Sequence, residues 1–307
     1  LVILDEIGMM HDVPEETVRR SIRRRLWPDH GLGREVAGNP TNVGAFSRDQ
    51  MRAHARRMFS GSNLVVSIAG NLDPEDSTST IEKAIGGYPA GREASWPAFA
   101  PDGSPSPRAF VDSRDAEQTY FSVAGRGVSR VDPERYAVDI LTAVLGEGMG
   151  SSLFEELREK QGLVYEVFAS VSTARDCGAL VIEASTDPTT LEEAMQAVFE
   201  VLRRVYCDGV SEEKLERARE FVKGEIILAM EDTYAVAGWA LREQLLETEQ
   251  LTPDAVAAKY DEVTVQGVCD AAKRLFTDDW PIVAVSGPID SNLEIPSGFH
   301  GVKSKGA

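Results

Sequence analysis

A glutamate with apolar neighbours stands near the start of the chain, in the stretch LVILDEIGMMHDVPEE. On a helix, the residues three and four positions away from Glu6 are Val2, Ile3, Met9 and Met10. A carboxylate among packed apolar side chains is costly unless a cation or hydrogen bonds compensate its charge. The alternative is a less regular turn that lets Glu6 reach solvent, and Asp5 is then an equal candidate for a functional role.

An arginine and a tyrosine lie seven residues apart in LREKQGLVY. Arg158 is near the end of a predicted helix, and Tyr165 is on the strand that follows a predicted turn at Gly162. A helix end and a strand start can present both head groups to one cleft, where a guanidinium and a phenol suit a developing negative charge. The alternative is a surface ion pair of Arg158 with Glu155 and an ordinary half-buried aromatic residue at position 165.

The histidines of the chain are His11, His30, His54 and His300. None of them lies in an H-x-x-E-H motif or four residues from another histidine. His30 follows Asp29 in a loop, and a lone loop histidine beside one acid is typically structural or solvated. The chain therefore has no zinc site of the H-x-x-E-H type by itself.

Three glycines precede a predicted helix in GEGMGSS, as in phosphate-binding loops. The stretch lacks the G-K-[ST] ending and the G-x-G-x-x-G spacing, and it follows a helix instead of a strand. We interpret it as a hinge, with Ser151 or Ser152 as a helix cap and not as a nucleophile, because no G-x-S-x-G motif surrounds them. A nucleotide-binding protein is the weakest functional alternative.

Composition limits the class of partner. The chain of 307 residues has 42% hydrophobic residues and a formal net charge of -18, which argues against nucleic-acid binding. No apolar run approaches the roughly 20 residues that cross a bilayer, so we expect no membrane association. Three cysteines, Cys177, Cys207 and Cys269, form no C-x-x-C pair, which favours a reducing compartment and a cytoplasmic location.

The predicted elements are short strands and long helices, the α+β pattern. Asp12 as N-cap, Pro14 in the first turn and Glu15 as capping-box partner predict the start of a second helix, and Ser47 with Gln50 predicts a capping box on a later one. NLVVSIAG then predicts a buried strand. Further along, the sequence predicts one strand, two helices, a strand pair, three long helices, a further helix and a last strand, PIVAVSG.

An internal repeat suggests how these elements are grouped. RRMFSGSNLVVSIAGNLD, at 56–73, aligns without a gap on KRLFTDDWPIVAVSGPID, at 273–290. Two copies of one domain would explain the match, and a chance likeness of two helix-turn-strand segments is the alternative. We predict two similar domains in tandem: 1–88 is the C-terminal part of the first, 89–108 a linker, 109–290 the second and 291–307 a tail. The first domain would then lack about a hundred residues at its N-terminus.

Four stretches in this order resemble the pitrilysin and insulinase-type zinc peptidases (inverzincins), most closely the bacterial relatives of mitochondrial processing peptidase. They are LVILDEIGMMHDVPEE, HGLGREVAGN, SGSNLVVSIAGNLD and GEGMGSSLFEELREKQGLVYEVFAS. The resemblance extends over nearly the whole chain to about residue 290. It implies two similar α+β domains, each a sheet flanked by helices, that enclose a chamber.

The resemblance also implies a zinc-dependent metalloendopeptidase that cleaves peptides inside this chamber. In the family, zinc is held by two histidines of H-x-x-E-H and by a later glutamate, whose position Glu6 occupies. Arg158 and Tyr165 occupy positions that bind the substrate backbone and stabilise the oxyanion.

Because H-x-x-E-H is absent, we expect this chain to be inactive by itself. The remaining zinc ligands would lie in a missing N-terminal portion of the first, metal-bearing domain or in a homologous subunit of a dimer. The alternative is a non-catalytic partner subunit or scaffold of the same fold. A retained glutamate at position 6 favours the enzyme.

Overall fold

The computed structural model describes residues 2–99, 108–246, 249–277, 280–290 and 293. These residues form an α+β architecture with one five-stranded sheet flanked by helices, as the sequence predicts. Within these ranges, no helix has the length and apolar character needed to span a lipid bilayer. The predicted tail lies outside the described residues except for Leu293, and so do positions 100–107 of the predicted linker.

The sheet consists of β1 (Ala109–Ser113), β2 (Thr119–Gly127), β3 (Val164–Thr173), β4 (Gly178–Thr186) and β5 (Ile282–Gly287). Its strand order is β1-β5-β2-β4-β3. β1 and β5 are parallel, and the other neighbouring strands are antiparallel. β3, whose second residue is the candidate Tyr165, is therefore an edge strand, with a neighbour on one side only among the described residues.

Long helices cover one face of the sheet. They are α6 (Arg135–Gly146), α7 (Leu191–Asp208), α8 (Glu212–Ala229), α9 (Thr233–Leu246), α10 (Pro253–Asp261) and α11 (Val265–Leu275). Apolar residues of α6, α7 and α11 pack on alternate residues of the strands, such as Phe121, Val123 and Val285, to form the larger core. Gly146 allows the closest approach, since a Cβ there would lie 2.2 Å from the main-chain nitrogen of Ala169 on β3.

One helix from the N-terminal region covers the opposite face of the sheet. In α2 (Pro14–Leu26), the apolar residues Val18, Ile22 and Leu26 are buried against Ala124, Ala284 and their neighbours on β2, β4 and β5. Arg19 adds a polar contact, because its Nε donates to Glu183 Oε1 of β4 at 2.8 Å. The sheet therefore lies between a layer of long helices and α2.

The remaining helices precede the sheet in sequence. They are α1 (Val2–Asp12), α3 (Pro40–Ala45), α4 (Arg48–Met58) and α5 (Pro74–Ile85). The capping box at Ser47 is confirmed, since Ser47 and Gln50 each accept a hydrogen bond from the other's main-chain N–H. Asp12 was wrongly predicted to cap α2, whose N-cap residue is Val13 and has no side-chain cap.

The stretch NLVVSIAG was predicted to be a buried strand, and this prediction is wrong for the described residues. It forms no strand, and Val65, Val66 and Ile68 are exposed. The matching stretch of the repeat forms β5, which lies between β1 and β2. The difference has a simple cause: a strand needs neighbours to accept its main-chain hydrogen bonds.

The repeat is nevertheless visible in the helices that precede these two stretches. α4 and α11 have equal length, and their N-caps, Ser47 and Thr264, both accept a hydrogen bond from the N–H three residues later. A phenylalanine is the C-cap residue that follows each helix: Phe59 N–H donates to the Ala55 carbonyl, and Phe276 N–H donates to the Ala272 carbonyl. The similarity of the two segments therefore extends to their caps. The domain boundaries stay a prediction.

Candidate active site

Glu6 lies on α1, as predicted, but its surroundings are not those expected. Its carboxylate-bearing side chain is exposed, and so are the four apolar neighbours, with Val2 and Met9 each 70% exposed. Only Ile7 of this helix is buried. The expectation that Glu6 is packed among apolar side chains is therefore wrong for the described residues, because α1 rests on α2 and α3 by one face only.

The described residues do not form a zinc site around Glu6. No group of three or more His, Cys, Asp or Glu side chains in the described ranges could hold a metal ion. His11 is 3.4 Å from the Glu35 carboxylate, His30 contacts the carbonyl oxygen of Pro97, and His54 contacts Arg57. His300 lies outside the described residues. Glu6 by itself supplies one of the three or four protein ligands that a zinc site requires.

Arg158 lies on a helix of unusual geometry. The helix is a π-helix, Phe154–Lys160, and its hydrogen bonds include the donation from Gln161 N–H to the Glu156 carbonyl at 3.2 Å. The Arg158 side chain is exposed, with its guanidinium 5.7 Å from the centre of the Phe154 ring. The alternative ion pair with Glu155 is not formed in this part of the structure, where Glu155 lies 3.9 Å from Lys160 and Lys214 instead. π-Helical turns frequently occur at functional sites.

Tyr165 lies at an irregularity of β3. Val164 pairs with Thr186 of β4 and Glu166 with Ser185, so Tyr165 is the extra residue of a β-bulge. Tyr165 is 47% exposed, and the adjacent Glu166 is exposed as well. A bulge redirects side chains that a regular strand would alternate between its faces. The sequence predicts the strand but gives no signal for the bulge, and it did not single out Glu166.

A short turn fixes the relative position of Arg158 and Tyr165. Gly162 has a positive φ of 64°, as its predicted turn role requires, and the Leu163 N–H donates to the Leu157 carbonyl at 2.8 Å. The hydroxyl of Thr186 donates to the Leu163 carbonyl at 2.5 Å. These bonds hold the helix end and the strand start at one corner of the sheet, with both candidate side chains exposed.

The structure does not bring Glu6 into this corner. α1 packs on α2 and α3, whereas the π-helix packs on β3 and α7. A connection to the sheet exists through Arg114, whose guanidinium donates to the carbonyl of His11 at 2.9 Å and to the hydroxyl of Thr17 at 3.2 Å. The end of α1 is thus anchored beside β1, at the opposite edge of the sheet from β3.

An arginine of α2 contacts two carboxylates on the face of the sheet that this helix covers. Glu183 of β4 is largely buried, and burial raises the pKa of its carboxyl despite the hydrogen bond from Arg19. Glu16 also accepts from Arg19, at 3.1 Å. Arg19 thus contacts carboxylates of both α2 and β4.

Comparison with known proteins assigns the chain to a family. The model of the peptidase M16 inactive domain matches residues 45–222, more than half of the chain. An uncharacterized zinc protease of Mycobacterium leprae is 31% identical over 297 residues, which are 96% of this chain and 66% of that protein. The chain therefore spans slightly less than two thirds of this relative's length.

Solved structures show the same fold at lower sequence identity. A peptidase M16 inactive domain from Pseudomonas fluorescens superposes with a TM-score of 0.84 at 20% identity, over 93% of this chain and 68% of that chain. A chain of complex III from Candida albicans superposes with a TM-score of 0.82 at 16% identity, over 98% of this chain and 73% of its own length. The family match and the similarity to the mycobacterial protease confirm the predicted resemblance, and this chain belongs to the peptidase M16 family.

Proposed function

We propose that this chain is part of a zinc-dependent metalloendopeptidase, in which Glu6 is one zinc ligand and the others come from outside the chain. Zinc would polarise a peptide carbonyl and activate water. The description of the mycobacterial relative as a zinc protease supports this class of activity. Glu6 is exposed, as expected for a zinc ligand that a further structural element covers in the complete protein. The described residues by themselves do not form a zinc site.

Arg158 and Tyr165 are the proposed substrate-side residues. The proposal depends on one observation: both residues lie at the same corner of the sheet with exposed side chains. The hydrogen bond from the Leu163 N–H to the Leu157 carbonyl fixes the turn between them. A guanidinium and a phenol hydroxyl there can both donate to one peptide carbonyl, and donors held in place need no reorganisation when charge develops. The free edge of β3 offers an extended peptide a strand to lie against.

Residues 64–70 support the proposal that the first domain is completed by other polypeptide. Phe59 and Val66 are 59% and 45% exposed, whereas their repeat equivalents Phe276 and Val283 are 0% and 1% exposed. Apolar residues of the same type and spacing are therefore core in one copy and surface in the other. Strands on both sides of residues 64–70 would give the first copy the core that the second has. The predicted tandem arrangement and its linker depend on this completion.

A non-catalytic role is the second candidate. The matching family model describes an inactive domain, and one structural neighbour is a chain of the complex III assembly. In that case the chain is a non-catalytic partner subunit or scaffold of the same fold.

The experiment uses the polypeptide as its gene encodes it, including whatever precedes Leu1. We expect zinc bound in stoichiometric amount, peptide cleavage, and loss of most zinc in the Glu6→Gln variant. Full zinc retention by that variant would contradict the ligand role of Glu6. Absence of both zinc and cleavage in the parent protein would favour the partner subunit.

A second variant tests the substrate-side residues. Tyr165→Phe removes one hydroxyl, and we expect kcat to fall at least about tenfold with zinc content unchanged, because the lost donor acts on the developing charge. Tyr234→Phe is the matched control, since Tyr234 is exposed on α9, away from the corner. Equal kcat in both variants would remove the proposed role of Tyr165.

A further inference from the structure

A buried threonine ends a row of apolar side chains on β4. Side chains alternate between the two faces of a strand, and Leu180, Ile182 and Ala184 of β4 all pack into the larger core. Thr186 is the next residue of this row and is 0% exposed. A valine has the same shape and would continue the row without a polar atom. Packing alone therefore does not explain the hydroxyl.

The hydroxyl of Thr186 contacts the main chain at the corner that carries the candidate residues. It donates to the Leu163 carbonyl at 2.5 Å, and the Leu163 N–H donates to the Leu157 carbonyl at 2.8 Å. Both main-chain polar groups of Leu163 are therefore bonded, one to the π-helix that carries Arg158 and the other to the sheet. Tyr165 follows two residues later, at the bulge. The position of Leu163 thus determines where the strand with Tyr165 begins.

A second threonine supports the first. Thr190 is the N-cap residue of α7, where a hydroxyl ordinarily accepts a hydrogen bond from an N–H of the first helical turn. Its side chain makes no such bond within the described ranges. Its Oγ1 instead lies 2.8 Å from Thr186 Oγ1 and 3.3 Å from the Leu163 carbonyl oxygen. Because Thr186 uses its only proton on Leu163, Thr190 is the donor between the two hydroxyls, and such a chain strengthens each hydrogen bond in it.

We propose that Thr186 is a positioning residue for Tyr165. Its hydroxyl holds the Leu163 carbonyl, and this sets the direction in which the bulge presents the Tyr165 side chain. A bulge interrupts the ladder of main-chain hydrogen bonds that fixes a regular strand, so the side-chain hydrogen bond replaces a missing constraint. The catalytic consequence rests on the proposed function, in which Tyr165 must be in place before charge develops on the substrate.

The first measurement uses the complete, zinc-loaded polypeptide. Thr186→Val removes the hydroxyl and keeps the shape, and we expect kcat to fall about tenfold with KM changed less than about twofold and zinc content unchanged, because the phenol is displaced. Thr186→Ser keeps the hydroxyl and should retain kcat within about threefold. Thr142→Val is the matched control, since Thr142 is equally buried and its hydroxyl donates to the Val138 carbonyl within α6 at 2.8 Å. Its kcat should equal that of the parent.

A double variant separates positioning from a general loss of structure. Tyr165→Phe already lacks the hydroxyl that Thr186 positions, so adding Thr186→Val should lower kcat by less than about threefold more. A full second loss in the double variant would overturn the proposal, because Thr186 would then act independently of Tyr165. Equal losses in Thr186→Val and Thr142→Val, or an unchanged kcat in Thr186→Val, would overturn it as well.

The second measurement requires neither zinc nor cleavage and uses this chain itself. With fluorotyrosine in place of tyrosine, the fluorine NMR signal of Tyr165 is the one that Tyr165→Phe lacks. Thr186→Val should shift or broaden this signal and leave that of Tyr234, which is exposed on α9, unchanged. Thr190→Val removes only the second hydroxyl and should change the Tyr165 signal in the same direction by less. It replaces Thr186→Val if that variant does not fold.

The two measurements distinguish failure of this proposal from failure of the proposed function. A Tyr165 signal that is unaltered in the folded variants would overturn the positioning role of Thr186, whatever the activity. A shifted signal in a protein whose complete polypeptide cleaves no peptide would retain the positioning role and contradict the proposed peptidase activity alone.

Discussion

Arg19 on α2 donates a hydrogen bond to Glu183 on β4 at 2.8 Å, although 164 residues separate them in sequence. The contact joins the N-terminal region to the central sheet. Because Glu183 is largely buried and Arg19 is its hydrogen-bonded cation, neither side chain can be changed without affecting the other.

We predict that Arg19→Met lowers the free energy of unfolding by about 1–2 kcal/mol, because it leaves a buried carboxylate without its cation. Adding Glu183→Gln should restore most of the loss, since the second change removes the uncompensated charge. Urea unfolding of the parent, both single variants and the double variant measures the coupling. Additive losses would show that the pair does not interact.

Gly146 is predicted to be indispensable for the packing of α6 on β3. A methyl group there would meet the main-chain nitrogen of Ala169 at 2.2 Å, so Gly146→Ala should cost about 3 kcal/mol. Gly224→Ala is the control: nothing lies within 4 Å of the added carbon, and alanine favours the helix by up to about 1 kcal/mol. Thermal unfolding of both variants checks the contrast, which equal melting temperatures would contradict.

The repeat gives a prediction for two equivalent valines. In this chain, Val283→Asp should abolish folding, because it places a charge in the core, while Val66→Asp should change stability by less than about 0.5 kcal/mol. In a polypeptide that completes the first domain, Val66→Asp should become strongly destabilising. Chemical unfolding of the short and long forms makes the comparison, and an unchanged tolerance at position 66 in the long form would argue against completion.

The pKa of Glu147 predicts a pH-dependent stability. Its folded value of about 7 exceeds the ordinary value of 4.5, so folding favours the protonated carboxyl. The associated stability is complete below about pH 4.5 and is lost as the pH rises through 7. At pH 8, Glu147→Gln should therefore be more stable than the parent, by on the order of 1 kcal/mol after screening by solvent.

Urea unfolding at pH 5 and pH 8 measures this difference. Glu212→Gln is the control and should keep the parent's pH dependence, because its carboxylate is exposed. A Glu147→Gln variant with the same change in stability between the two pH values as the parent would show that Glu147 does not titrate as predicted.

Local signals predicted the parts of the fold that depend on local interactions. The capping box at Ser47, the turn at Gly162 and the antiparallel pair β3 and β4 all follow from nearby residues. NLVVSIAG and PIVAVSG have the same local pattern, yet only the second is a strand, because only the second has neighbouring strands. The sequence pattern does not show which strands lie beside a segment in the folded protein, and the strand prediction for NLVVSIAG lacked this tertiary information.

The candidate site shows the same limit. Periodicity correctly identified the helical neighbours of Glu6, but it could not show whether another element covers them. The π-helical turn at Arg158 and the bulge at Tyr165 arise where the helix end packs against the sheet. No residue type in the sequence predicts either feature. Glu147 could have been noticed as a carboxylate in an otherwise glycine-rich loop. Its raised pKa, however, results first from burial and then from the carboxylates Asp139 of α6 and Glu225 of α8, and the burial depends on how these helices pack.

The position of α2 has a consequence for how the chain would respond to a protease. α2 precedes the predicted linker in sequence, yet Ile22 and Leu26 are buried on the sheet that follows it. A cut within 89–108 should therefore leave two fragments that remain associated under native conditions and separate only on denaturation. If residues 109–290 were produced without α2, an apolar face of the sheet would be exposed to water, and that fragment should aggregate.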